Sequence, residues 1–115
     1  LLTMSYYGAE KVVDHYNLMG PVKSALEGTT RYLASELGSK NIRVNALSPG
    51  PLNTRAASGI NHFDELIDEA RNRAPSRRLV SIEDVGNMAV GLVSDYAKNV
   101  TGNISYVDAG YHVMS

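Results

Sequence analysis

The chain of 115 residues contains no cysteine. Disulfides, thiolate metal sites and cysteine nucleophiles are therefore excluded, and a reducing, cytosolic setting is compatible with the composition. A dominant charge is also lacking: 11 lysines and arginines against 12 aspartates and glutamates leave a net charge of −1. That balance offers no electrostatic footprint for nucleic acid or for an anionic membrane surface. No apolar run approaches the roughly 20 residues that span a bilayer, and no charged-then-apolar leader opens the chain. Nor is there a glycine-rich phosphate-binding loop, an internal repeat, a low-complexity tract or a linker. What is present, 43% hydrophobic and 20% charged residues, is the ordinary composition of one globular domain.

The opening run "LLTMS" has no initiating methionine, polar lead-in or helix cap, which predicts a buried strand and a segment of a longer chain. After a loop, Met19, Val22, Leu26, Thr30, Leu33 and Leu37 recur at helical spacing and predict a long amphipathic helix beginning near Asn17 or Leu18. Pro21 is tolerable there only in the first turn, and Gly38 is placed to end the helix in a left-handed conformation. A strand over Ile42 to Leu47 is expected to stop at Ser48-Pro49-Gly50-Pro51. Phe63, Leu66, Ile67, Ala70 and Ala74 mark a short helix halted by Pro75, with Asp64, Glu65, Asp68, Glu69, Arg71 and Arg73 on a solvated face. Ser81 with Asp84 reads as a capping box for a further helix, lined on one face by Val85, Ala89, Leu92, Val93 and Tyr96. A strand at Ile104 to Val107 and a glycine-containing turn complete the pattern.

Strands separated by helices imply an α/β fold with parallel pairing, right-handed crossovers and cover on both faces. Three strands leave such a doubly wound sheet incomplete, with at least one long open edge and an uncovered face. The segment is accordingly expected to fold poorly by itself.

Tyr16 and Lys23 stand seven residues apart. A phenol titrates near 10, so as an acid at neutral pH it needs a nearby cation or an oriented hydrogen-bond chain. Seven residues of continuous helix span roughly 10 Å, too far for direct contact but suited to a bound molecule with hydroxyls, such as a ribose. On spacing alone, a packed tyrosine beside an unrelated surface lysine is the commoner explanation. Tyr6 and Tyr7 follow the carboxyl end of the first strand, and the Ser48–Thr54 loop follows that of the second, which is where open α/β sheets bind ligands. Pro49-Gly50-Pro51 is equally readable as a structural turn. His15, His62 and His112 have no metal-site or triad spacing and read as loop or surface residues. Arg77 and Arg78 read as ion-pair formers, and Ser5 as a strand-end hydrogen-bonder with no base to make it a nucleophile.

"SELGSKNIRVNALSPGPLNT", "RRLVSIEDVGNMAVGLVSD" and "TGNISYVDAGY" resemble the C-terminal half of short-chain dehydrogenases/reductases across essentially the whole chain. Most members of that superfamily place tyrosine and lysine four residues apart, a pattern that Gly20 breaks here. "SYYGAEKVVDHYNLMGPVKSALE" instead resembles the NADH-dependent enoyl-acyl-carrier-protein reductases of bacterial fatty-acid synthesis, in which two tyrosines ten residues apart are followed by a lysine seven further on, as Tyr6, Tyr16 and Lys23 are. The resemblance implies that residues 1–115 are the C-terminal half of one Rossmann-like domain whose dinucleotide-binding half is absent. It also implies a cytoplasmic homotetrameric enzyme, inactive as the isolated segment.

By the same resemblance Tyr16 and Tyr6 are the catalytic pair, and Lys23 with Leu52, Asn53, Thr54, Arg55 and Ala56 holds NADH; the sequence does not discriminate against NADPH. Met19, Ala56, Ala57, Ile60 and Phe63, with both tyrosines, line the acyl substrate, part of them as a mobile lid. The partner is an acidic acyl-carrier protein bearing the thioester, with no nucleic acid, membrane or metal. Some relatives carry basic residues where this chain has "NHFDEL", so Asp64 and Glu65 disfavour docking there and shift it toward Arg71, Arg73, Arg77 or Arg78. The alternatives are another reductase of the superfamily, acting on 3-ketoacyl or enoyl-CoA thioesters, and a non-catalytic oligomer-forming relative.

Overall fold

Apolar residues at strand spacing alternate with helical repeats along the chain, and the computed structural model, which describes residues 1–52, 54 and 62–114, folds accordingly. Its main elements are β1 (Leu2–Met4), α1 (Met19–Leu37), β2 (Asn45–Pro49), α2 (Phe63–Arg73), α3 (Ile82–Val93) and β3 (Ile104–Val107), joined through short 3-10 turns. The strands run parallel in the order β1-β2-β3, with Met4 opposite Leu47 and Ser48 opposite Tyr106.

Side chains alternate across a sheet, so this register sends Ser5, Ser48 and Tyr106 to one face and Leu47, Pro49 and Val107 to the other. On the first face lies α1, whose Glu27 meets Ser5. On the second, Val85 and Leu92 of α3 close over Leu47 to form a buried core joined by Leu52, Val100 and Val107. Both faces are covered, which corrects the expectation of an uncovered face: α1 and α3 between them suffice for a sheet only three strands wide. Because the strands advance in one direction while α1 and α3 take opposite faces, the two crossovers have opposite hands. The expectation of two right-handed crossovers is thus corrected. That preference arises where a twisted strand feeds directly into one helix, and the β2–β3 connection instead carries both α2 and α3.

Local chemistry explains the element boundaries. Leu18 precedes α1 and Pro21 is its third residue, so the missing proline N–H falls among the first-turn donors that have no intrahelical partner. Gly38 does not adopt the left-handed conformation expected of it; its φ of −59° continues the chain into a 3-10 turn, and Asn41 makes the reversal at φ 61°. Asparagine tolerates that region, so the glycine was not required there. The capping box on α3 is complete, with the Asp84 N–H donating to Ser81 Oγ and the Ser81 N–H to Asp84 Oδ2. Those bonds hold the Asp84 carboxyl below its ordinary range, with a smaller contribution from Arg78.

The second strand runs through Ser48 and Pro49 rather than ending before them. Backbone donors explain why. Asn45 bonds Leu1 and the Leu47 carbonyl receives Ser5, both on the β1 side, whereas Ala46 and Gly50 donate to Asn103 and Val107 on the β3 side. Pro49 falls on the β1 side, where pairing has already ended at Met4–Leu47, so no ladder bond is lost.

Two predicted helix faces are corrected. On α1 the buried residues are Glu27, Thr30 and Ala34, whereas Met19 and Val22 are exposed. On α3, Val85 and Leu92 are buried, but Val93 and the following Tyr96 are 62% and 103% exposed. The edge strand β1 likewise exposes Leu2 and Met4. On α2, Arg71 pairs with Asp68 at 3.5 Å and Arg73 with Glu69 at 3.2 Å on the expected solvated face. Arg77 donates to the Asn72 carbonyl, and among the described residues neither it nor Arg78 forms the ion pair expected. Leu47 is 1% exposed at the centre of the α3-side core. Leu47→Ala is expected to lower stability by about 2–5 kcal/mol, read from urea denaturation of the protein.

Candidate active site

The carboxyl ends of the three strands lie side by side, and the segment leaving each of them contributes to the site. Beyond β1 the chain turns through Tyr6 and a 3-10 turn at Tyr7–Ala9. Four tyrosines gather there: the ring centroids of Tyr6 and Tyr16 are 5.1 Å apart, those of Tyr6 and Tyr7 4.9 Å, and those of Tyr7 and Tyr111 5.5 Å. Edge-on and tilted ring pairs at these distances are favourable beyond the area they bury. The Tyr16 ring lies against Gly8, where a Cβ would stand 2.7 Å from Cδ2 and 2.8 Å from Cε2. Gly20 lets α1 approach equally closely, since a Cβ there would stand 3.2 Å from the Gly8 carbonyl oxygen. Ser24 completes the seam by donating to the Ala9 carbonyl at 2.5 Å.

Lys23 joins this group through the backbone. Its Nζ donates to the Met4 carbonyl at 2.9 Å, two residues before Tyr6. Tyr16 is not on α1 but in the turn before it, with Asn17 at φ 56°, and its carbonyl accepts from the N–H of Met19. Tyr6, Tyr16 and Lys23, chosen from sequence, are therefore brought together at one strand end.

The electrostatics favour neutral phenols. Burial raises the Tyr16 phenol above its ordinary value. Burial and then the neighbouring Tyr7, Tyr111 and Tyr16 hydroxyls do the same to Tyr6. Both tyrosines are proton-bearing hydrogen-bond donors at neutral pH, and neither is a phenolate prepared by Lys23. The Tyr6 hydroxyl is buried with only a weak interaction with the Tyr7 hydroxyl and no well-formed hydrogen bond among the described residues, an arrangement suited to a polar group of a ligand. A cavity of about 680 Å³ opens beside Tyr16, Gly8 and Gly20, though Tyr6 and Lys23 do not line it.

Beyond β2, Leu52 packs on the core around Leu47, and the Thr54 N–H donates to the Leu52 carbonyl at 2.9 Å. Asn53, Arg55, Ala56, Ala57 and Ile60 lie outside the described residues. Phe63 is half-buried at the start of α2, and Met19 is 44% exposed at the start of α1. The Pro-Gly-Pro segment has a structural use, because a Cβ on Gly50 would stand 3.1 Å from that of Asp108.

Beyond β3, Asp108 organises the turn by accepting from the Gly110 and His112 N–H groups at 3.0 and 2.8 Å. His112 Nδ1 lies 2.8 Å from Asp108 Oδ2, and its ring stacks on Tyr106 with centroids 3.7 Å apart. From the sequence His112 reads only as a loop or surface histidine, and this pair is missed; the four-residue spacing is its only signal. His15 and His62 stack on each other, and no group of three or more metal-ligating side chains is found among the described residues. No helix there is long and apolar enough to cross a membrane.

A parallel sheet covered on both faces, with a tyrosine pair and a lysine at the carboxyl edge where open sheets bind ligands, places the chain in the Rossmann-like α/β class. Comparison with known proteins makes the class specific. The family described as enoyl-(acyl carrier protein) reductase matches residues 1–112. The NADH-dependent enoyl-[acyl-carrier-protein] reductase 1 of Rhizobium meliloti is 54% identical over 114 residues, covering 99% of this chain and 42% of that protein. The crystal structure of the Bacillus cereus enoyl-acyl carrier protein reductase with NADP+ and an indole naphthyridinone superposes with a TM-score of 0.96 at 47% identity, over 99% of this chain and 44% of that one. The Anaplasma phagocytophilum enzyme in complex with NAD gives 0.90 at 46% identity, over 99% and 41%. The chain belongs to the enoyl-(acyl carrier protein) reductase family, and it spans less than half the length of these relatives.

The site's packing has two testable outcomes. Gly8→Ala must displace the Tyr16 ring, so near-ultraviolet circular dichroism of the tyrosines changes and stability falls by about 1–3 kcal/mol in urea denaturation. Because the folded phenols titrate above their unfolded value, their contribution is intact below pH ~10 and is lost as pH rises beyond it. Alkaline denaturation profiles are expected to show that loss for the wild type and less of it for Tyr6→Phe.

Proposed function

We propose that the full-length protein is a cytoplasmic enoyl-acyl-carrier-protein reductase, reducing the C2=C3 bond of a trans-2-enoyl thioester with NADH in fatty-acid synthesis. Residues 1–115 are, in this reading, the C-terminal half of its Rossmann-like domain, and the sheet continues past the exposed edge of β1. The observation that most supports it is the contact of the Tyr6 and Tyr16 rings beside a strand-end carbonyl held by Lys23, in a chain of this family.

The nicotinamide, when bound, supplies a hydride to the β-carbon of the substrate. Charge then builds on the thioester oxygen, which needs a donor already in place. Tyr16, a neutral phenol whose proton burial makes still harder to remove, donates its phenolic hydrogen bond to that oxygen. Tyr6, with its buried hydroxyl, backs the ring and supports the site or assists protonation. An ammonium has three N–H donors, so Lys23 can hold ribose hydroxyls while one donor stays on Met4. Leu52 and Thr54, with Asn53, Arg55 and Ala56, contact the nicotinamide, whereas Met19, Ala56, Ala57, Ile60 and Phe63 enclose the acyl chain.

Arg71 and Arg73 already pair with Asp68 and Glu69, which leaves Arg77 and Arg78 to meet an acidic carrier protein. The exposed Val22 and Tyr32 on α1, and Ile82, Val90 and Val93 on α3, support assembly into a homotetramer.

The decisive assay offers the full-length protein 2-enoyl and 3-ketoacyl thioesters, on carrier protein and on CoA, with NADH or NADPH. Preference for the 2-enoyl carrier substrate with NADH is expected. Tyr16→Phe should lower kcat about 100-fold, and Lys23→Ala should raise the KM for NADH about tenfold. Full turnover by both variants rejects these roles, and absence of NADH binding by the wild type favours a non-catalytic relative.

A further inference from the structure

A carboxylate sealed inside a fold needs partners, because desolvating it is costly and an apolar residue in its place would cost nothing of the kind. Glu27 is such a group, 3% exposed, one helical turn beyond Lys23 on the inward side of α1. It receives the hydroxyl of Ser5, itself 4% exposed. The Ser5 N–H is committed as well, donating to the Leu47 carbonyl at 2.7 Å. Lys23 grips the preceding residue, through the Met4 carbonyl. Two adjacent residues at the end of β1 are thus held by two residues one turn apart on α1, and the next residue along is Tyr6.

Other polar groups face Glu27 across the sheet. One step past the Met4–Leu47 pair, Ser5 lies beside Ser48, and Ser48 lies opposite Tyr106. The Ser48 hydroxyl is fully buried with no partner among the described residues. The Tyr106 phenol is pushed up to about 12 by burial, then by the charge and hydrogen bond of Glu10, and further by the charge of Glu27. In a row with Ser48 and Tyr106 already polar, Glu27 is bound by Ser5, the residue directly before Tyr6.

We propose that Glu27 is a positioning residue: by holding Ser5 while Lys23 holds Met4, it fixes the strand end from which Tyr6 projects and keeps the tyrosine pair in register with the lysine. The inference rests on the reductase reading given above. Glu27 does not touch substrate or cofactor, so its effect appears in turnover and not in binding.

The test uses the full-length protein and its Glu27→Ala, Glu27→Gln, Ser5→Ala and Ser5→Ala/Glu27→Ala variants, in steady-state assays and NADH fluorescence titrations. Expected are kcat values about tenfold lower for Glu27→Ala and for Ser5→Ala, with KM and NADH affinity within about threefold of wild type. The double variant is no worse than the poorer single one, since both changes break one interaction. Glu27→Gln, whose amide oxygen still accepts from Ser5, returns kcat to within about threefold. A Glu27→Ala kcat within about twofold of wild type, multiplicative losses in the double variant, or a glutamine as damaging as alanine would each overturn the proposal. Should Glu27→Ala not fold, Ser5→Ala and Glu27→Gln decide it: a slowed serine variant with a near-normal glutamine variant upholds it, and Ser5→Ala at wild-type kcat overturns it. An active wild type with unaffected variants rejects this inference alone, whereas a wild type without enoyl reductase turnover rejects the underlying reading as well.

Discussion

The approach of the Tyr16 ring to the Cα of Gly8 is the contact on which the rest of the site depends. With no side chain at Gly8, the turn after β1 lies flat against the ring, and Tyr16 can then tilt onto Tyr6. Gly20 extends the same closeness to α1 by admitting the Gly8 carbonyl. Two glycines thus set the separation between the turn, the tyrosine pair and the helix that carries Lys23. Aromatic packing supplies the attraction, and the glycines supply the short distance at which it acts.

Electrostatics derive from that packing. A phenol wedged among other phenols loses water without gaining a cation, so it keeps its proton. Lys23 gives one of its donors to a backbone carbonyl and does not act on the Tyr16 oxygen. This division of labour suits chemistry in which negative charge appears late and must be met by a neutral donor, and it fits poorly with a base that must first lose a proton.

Much of this was legible in the sequence because it rests on short-range rules. Short apolar runs marked the strands and helical spacing the helices, Ser81 with Asp84 announced its cap, and Pro21 fell where only a first turn admits it. Tyr6, Tyr16 and Lys23 were legible as a pattern of spacings. What escaped depends on tertiary context. Glu27 looks like any solvated helix residue until Ser5 is seen opposite it, and the Asp108–His112 pair requires the turn that brings the two together. Pro49 looked like a strand breaker because its donor parity is invisible without the neighbouring strands. Val93 and Tyr96 fit a helical stripe but project past the core, since periodicity identifies a face without showing how far the opposing layer extends.

The opposite hands of the two crossovers bear on how the sheet assembles in time. Every strand pairing joins residues more than forty positions apart, as Leu2 with Asn45 and Ala46 with Ile104. Among the described strands no hairpin is available to nucleate the sheet, so loop closure must precede any ladder bond. Helix α1 can form early and carry β1 to β2, whereas β3 arrives only after a long excursion through α2 and α3 to the other face. The turn bearing Asp108, Tyr111 and His112 therefore joins the tyrosine cluster only when the β2–β3 connection has closed.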